Sequence, residues 1–181
     1  MLKSYNLKIK LKKTRYKPPP KPNKTKKHVA SDVFYTNPET AISIIDYFKP
    51  AGSILDPCAG KDAFYGNFKN KEKYRCEISE GTDFLQWNKR IDWIITNPPY
   101  SIYDAFLLKA LEVADNIVFL VPISKAFKSD KIERAVMQFG GLKEIIYMGS
   151  GRKHKFPFGF SLGCIYYQRN YKGKCKITHF I

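Results

Sequence analysis

The sequence has no apolar run near the roughly 18 residues that a membrane-crossing helix needs, and no apolar leader near its start. Its four cysteines (Cys58, Cys76, Cys164, Cys175) are scattered without a C-x-x-C pair, and histidine occurs only three times. These absences argue against a zinc ribbon, a disulfide scaffold and a secreted protein. They lead us to expect a reducing, cytoplasmic or other intracellular setting, with no membrane and no metal. Acidic residues are missing altogether from residues 1–27, which hold 11 of the 32 Lys and Arg.

What is present is enough for a core. Hydrophobic residues make up 44% of the 181 and aromatics 15%, which fits about one domain. The net charge of +16 is concentrated at the start. Residues 1–30 read as a basic arm, in which Leu7, Ile9 and Leu11 alternate with lysines before Pro18, Pro19, Pro20 and Pro22 stiffen the chain. Such an arm suits a polyanion partner, because each phosphate it neutralises releases counterions. Residues 31–181 read as the globular domain.

From Asn37 onward, short apolar strands alternate with helical stretches. Pro38 opens a helix with Asn37 as N-cap and Ile42, Ile45 and Phe48 as its apolar positions, and Lys49-Pro50 ends it. Strands are expected at 53–56, 74–78, 93–96 and 116–122. A short helix is expected over 63–68, and longer ones over 103–114 and 129–139. Two final strands, near 142–148 and 162–167, have no helix between them and should form an antiparallel hairpin. The alternation predicts an α/β fold whose mostly parallel sheet carries helices on both faces.

Two stretches carry chemistry. In Ile54-Leu55-Asp56-Pro57-Cys58-Ala59-Gly60 an apolar strand runs into a carboxylate and then small residues, where a ligand can approach the backbone. Glu77 follows at the end of the next strand, about where an acid grips a ribose diol. An Asp-Pro turn and a surface Glu are common, so this stretch alone is a weak signal. The second stretch, Asn97-Pro98-Pro99-Tyr100, ends the strand Ile91–Thr96. Its prolines remove two backbone donors, Asn97 adds an amide oxygen, and Tyr100 adds a ring. That is an acceptor pair aimed at an amino group, with a stacking surface for the base attached to it.

In their order, these pieces resemble the S-adenosylmethionine-dependent amino-group methyltransferases, particularly the adenine-N6 DNA methyltransferases of gamma motif order, over about residues 34–169. The resemblance implies a Rossmann-like class I fold with a seven-stranded, mostly parallel sheet and a terminal antiparallel hairpin. It implies S-adenosylmethionine as cofactor, held by Thr36, Asp56, Pro57, Ala59, Gly60, Glu77, Asp83 and Phe84. It makes Asn97, Pro98, Pro99 and Tyr100 catalytic, with Tyr100 and Phe156 stacking on an extruded base, and the partner a nucleic acid, DNA foremost. An RNA adenine methyltransferase is the first alternative and a protein glutamine methyltransferase the second.

Three features depart from the family pattern. Gly60-Lys61-Asp62 stands where a second glycine is usual, which puts Lys61 near the place of the cofactor's carboxylate. Only five residues separate Glu77 from Asp83, too few for the usual helix. Little sequence follows the last expected strand, so no target-recognition domain is expected there. If the arm compensates for that domain, removing residues 1–27 will leave cofactor binding intact, weaken nucleic-acid binding and flatten its salt dependence. Titrations at two salt concentrations check this; an unchanged salt slope contradicts it.

Overall fold

The computed structural model describes residues 34–127 and 129–180; the basic arm expected at 1–30 lies outside them. Three helices, α1 (Pro38–Phe48), α2 (Tyr103–Val113) and α3 (Asp130–Phe139), flank seven strands. These are β1 (Ile54–Asp56), β2 (Lys73–Arg75), β3 (Ile91–Thr96), β4 (Ala114–Pro122), β5 (Gly140–Ser150), β6 (Ser161–Arg169) and β7 (Lys176–His179). The sheet order is β2-β1-β3-β4-β6-β5-β7, and β6 runs against the other described strands. The mostly parallel sheet and the β5–β6 hairpin are as the sequence predicts.

The hairpin is not the end of the chain, however. After β6 the chain turns and adds β7 in parallel on the outer side of β5. Four residues with mostly exposed side chains carry little apolar alternation, so nothing in the sequence announces this strand. At the opposite edge the sheet stops at β2. Short 3-10 turns (Ile78–Glu80 and Phe84–Gln86) fill the stretch that is too short for a helix.

Strand alternation divides the core in two. Leu55, Ile94, Phe119, Val121, Ile165 and Tyr167 pack with α2 and α3, whereas Ile54, Ile95, Val118, Leu120, Cys164 and Tyr166 face α1 and residues 63–68. Each large apolar side chain so buried contributes about 1.5–3 kcal/mol. Phe106, Leu107, Ala110 and Leu111 form the buried face of α2, and a buried hydrogen bond of 2.8 Å between the Tyr103 and Tyr167 hydroxyls pins its first turn to β6.

Helix α1 starts at Pro38, but Asn37 caps it by position only, since its side chain makes no capping bond. Its buried face holds Thr40, Ala41, Ile44 and Ile45, with Phe48 packed beside it; of the three apolar positions read from sequence, Ile45 and Phe48 face the core and Ile42 is exposed. Lys49 ends the helix in the left-handed region. The segment 63–68 forms only a 3-10 turn, Tyr65–Asn67.

Gly163 sits where β6 passes close to β5 and to the turn after β4. A Cβ there would lie 2.5 Å from the Ile146 carbonyl oxygen and 2.6 Å from Ile123 Cγ2. Gly163→Ala should therefore destabilise the fold by about 1–3 kcal/mol, as overpacking of a tight core does. Denaturant midpoints check this; an unchanged midpoint would mean the contact relaxes freely.

Candidate functional site

From β1 the chain crosses to β2 on one side, then returns to place β3 on the other. That reversal of strand order opens a crevice at the carboxyl ends of β1 and β3, the place where α/β sheets bind ligands. Asp56 closes β1 and Thr96 closes β3, and both are almost fully buried. The Thr96 hydroxyl donates to Asp56 Oδ1 at 2.7 Å, and the Cys58 backbone N–H reaches the same oxygen at 3.4 Å. Asp56 Oδ2 makes no hydrogen bond. Burial raises the Asp56 carboxyl to about 7, with the Thr96 hydroxyl and the Cys58 backbone opposing the shift.

Above this floor lies a cavity of about 150 Å³. Its walls come from Tyr35 and Thr36, the loop from Cys58 to Phe64, Glu77 and Ile78, and the turn Asn97-Pro98-Pro99. Glu77 holds two of these walls together. Its Oε2 accepts the Gly60 N–H at 2.8 Å, while Oε1 accepts the Ser79 hydroxyl at 2.8 Å. Desolvation acts to raise its pKa, but these bonds, the Ser79 N–H and the charge of Arg75 prevail and keep it lowered. Gly60 is in the left-handed region at φ 53°, and a Cβ there would press on the Tyr35 ring at 3.2 Å. Lys61 Nζ stands 4.5 Å over the centre of that ring.

Asn97 is oriented from two sides. Its Nδ2 donates to the Phe34 carbonyl at 2.8 Å, and its own carbonyl accepts the Cys58 thiol at 3.1 Å. The amide oxygen Oδ1 is buried and takes no hydrogen bond. An acceptor left in that state costs about 1–3 kcal/mol unless a donor arrives. Beside it, Tyr100 packs at 5.9 Å between ring centres on both Phe34 and Phe160, and Phe34 meets the exposed Phe158 edge-on at 5.5 Å.

Among the residues singled out from sequence, Thr36, Ala59, Gly60, Glu77, Asn97, Pro98 and Pro99 come together on the cavity wall, with Asp56 beneath. Lys61 joins them. Pro57 and Tyr100 flank that wall without lining it. Asp83 lines a separate groove over 81–89, where its carboxylate accepts the Leu85 N–H at 2.9 Å. Phe84 is buried against Phe106 of α2, with ring centres 5.1 Å apart. Phe156 is also buried, on the α1 side of the core behind Phe160. Sequence reading missed Phe34, which contributes a ring and a carbonyl, and Phe158, the exposed aromatic of that loop. The Phe156-Pro157-Phe158-Gly159-Phe160 run was a usable signal, but its spacing does not say which ring faces out.

The sheet order and the switch-point crevice give the Rossmann-like α/β fold that class I methyltransferases also have. Among solved structures, the type I restriction-modification methyltransferase subunit from Streptococcus thermophilus is similar at TM-score 0.61 and 16% identity, over 81% of this chain and 47% of its own. The 23S rRNA methyltransferase ErmE is similar at TM-score 0.61 and 13% identity, over 77% of this chain and 73% of its own. A Listeria monocytogenes protein assigned to the class I S-adenosylmethionine-dependent methyltransferases gives 0.58 and 12%, over 78% and 63%. The chain spans about half the length of the type I subunits it matches. No family model matches the chain, and no curated protein matches it significantly.

The buried Asp56 makes stability depend on pH. A carboxyl whose pKa rises from 3.8 to about 7 on folding binds its proton more tightly in the folded state. Its contribution is therefore full below about pH 4, is lost as pH rises to about 7, and stays lost above that. Glu77, shifted the other way, acts only at lower pH. The stability of Asp56→Asn relative to wild type should therefore increase from pH 5 to pH 8, as unfolding midpoints will show; a constant difference contradicts the burial assignment.

Proposed function

We propose that this protein methylates the exocyclic amino group of adenine in a nucleic acid, DNA foremost, with S-adenosylmethionine as donor. The observation that carries the reading is Asn97: an amide anchored through its nitrogen, whose oxygen is a buried acceptor without a donor. An adenine amine is a poor nucleophile because its lone pair is delocalised into the ring. Asn97 Oδ1 and the Pro98 carbonyl would each accept one amine hydrogen, letting the nitrogen pyramidalise and its lone pair localise. The same two acceptors stabilise the positive charge that develops there, so catalysis rests on positioning and fixed dipoles rather than a strong base.

The residues present fit the cofactor. Gly60 keeps the loop open where any side chain would strike Tyr35, and Glu77 offers a charged acceptor at the end of β2. The cavity of about 150 Å³ takes only part of such a molecule, and the remainder would lie along the open crevice. When bound, S-adenosylmethionine supplies an electrophilic methyl group. Glu77 would hold the ribose diol, Lys61 the carboxylate end, and Tyr100 and Phe158 the faces of the extruded base.

A nucleic-acid partner is supported by the arm's charge and by Arg152, Lys153 and Lys155, exposed on the loop that carries Phe158. RNA is the second reading. It is favoured by the extent of the match to ErmE, 73% of that chain, against about half of the longer type I subunits.

Asn97→Ala should lose turnover by about 10²–10³ while binding S-adenosylmethionine almost normally, because the acceptor acts in the transition state. Glu77→Ala should instead weaken cofactor binding by about 1–3 kcal/mol. Calorimetry and labelled-methyl transfer separate the two; near-normal rates in Asn97→Ala would overturn the reading.

A further inference from the structure

The thiol of Cys58 has no part in the chemistry just described, yet it lies between its components. Cys58 follows β1 in the loop that forms the cavity wall. Its Sγ is 3.1 Å from the Asn97 carbonyl oxygen and 3.0 Å from Thr96 Oγ1. The Thr96 hydroxyl proton is already committed to Asp56 at 2.7 Å, so sulfur is the donor of this group and its single proton faces two acceptors, Thr96 Oγ1 and the Asn97 carbonyl oxygen. Burial and the neighbouring Asp56 push the thiol well above its ordinary pKa, which keeps it protonated and a donor. A thiol so suppressed is a poor nucleophile, which leaves hydrogen bonding as its use.

The carbonyl it meets belongs to the Asn97–Pro98 peptide. Proline has no N–H, so this peptide can be tethered only through its oxygen. The Phe34 carbonyl holds the other end of Asn97 by Nδ2. With both anchors in place, neither the backbone nor the side chain of Asn97 can rotate its amide oxygen away. Removing one anchor frees one of those motions.

We propose that Cys58 is a positioning residue for the amine acceptor: its S–H···O=C bond fixes the Asn97–Pro98 peptide and couples the loop after β1 to the turn after β3. The kinetic consequence rests on the proposed amino-group methyl transfer; the bond itself does not. Losing it should cost turnover because a slightly misplaced acceptor stabilises the transition state poorly.

The test compares Cys58→Ala with Cys58→Ser, which keeps a donor, in the full-length protein. The Ala variant should lose about tenfold in kcat, with KM and calorimetric Kd for S-adenosylmethionine and the melting temperature near wild type, and Ser should recover most of that loss. The Asn97 carbonyl carbon resonance, from selectively labelled protein, should shift in Ala and stay near wild type in Ser. A wild-type kcat in Ala, an equal loss in Ser, or a loss matched by weaker cofactor binding and lower melting temperature would overturn the proposal. So would an unmoved carbonyl resonance in Ala. If the wild-type protein methylates no amine at all, the proposed function fails, while the resonance still decides on the bond.

Discussion

The site depends on one buried hydrogen bond, from the Thr96 hydroxyl to the Asp56 carboxyl, between the ends of two adjacent parallel strands. Parallel strands joined by crossovers end at the same edge of a sheet, and the reversal of order between β1 and β3 leaves a gap there. A carboxyl placed under that gap, away from water, is tolerated only with its charge relieved or its oxygens bonded. Here burial raises its pKa while Thr96 and the Cys58 N–H satisfy one oxygen. The loop after β1 and the turn after β3 are thereby held to a common floor. Glu77 adds a third wall by accepting from Gly60.

The connections that frame this crevice are short. The stretch between β1 and β2 contains only a 3-10 turn, and the one between β2 and β3 only two more. Neither shortening reaches the ends of β1 and β3, where the polar groups converge. The mass instead lies on the other half of the sheet, where long β4, β5 and β6 pair over most of their lengths and β7 is appended.

Much of this was legible in the sequence because it rests on local signals. Pro38 at the start of α1 and the apolar stripe of α2 each act within a turn of where they stand. The strands ending in Asp56 and Thr96 were legible for the same reason. Features set by tertiary contact were not. Whether Ile42 or Ile44 of α1 faces the sheet depends on how the helix is rotated as it docks, and both fit an apolar face. β7 is polar and exposed, and only its pairing with β5 makes it a strand. Phe156 and Phe158 cannot be told apart until the loop closes on Phe34 and Phe160. The importance of Cys58 and of the Phe34 carbonyl appears only when residues 39 and 63 positions apart meet.

If the Asn97-Pro98-Pro99 turn receives an exocyclic amine, the position of the transferred methyl group shows it most directly. The full-length protein should be incubated with isotopically labelled S-adenosylmethionine and, in parallel, duplex DNA, single-stranded DNA, RNA and protein. The products are then digested and resolved by mass spectrometry. Label is expected on the N6 amine of adenine in a nucleic acid. Label on a ring nitrogen, a carbon atom or a protein side chain, or no transfer at all, would contradict that expectation.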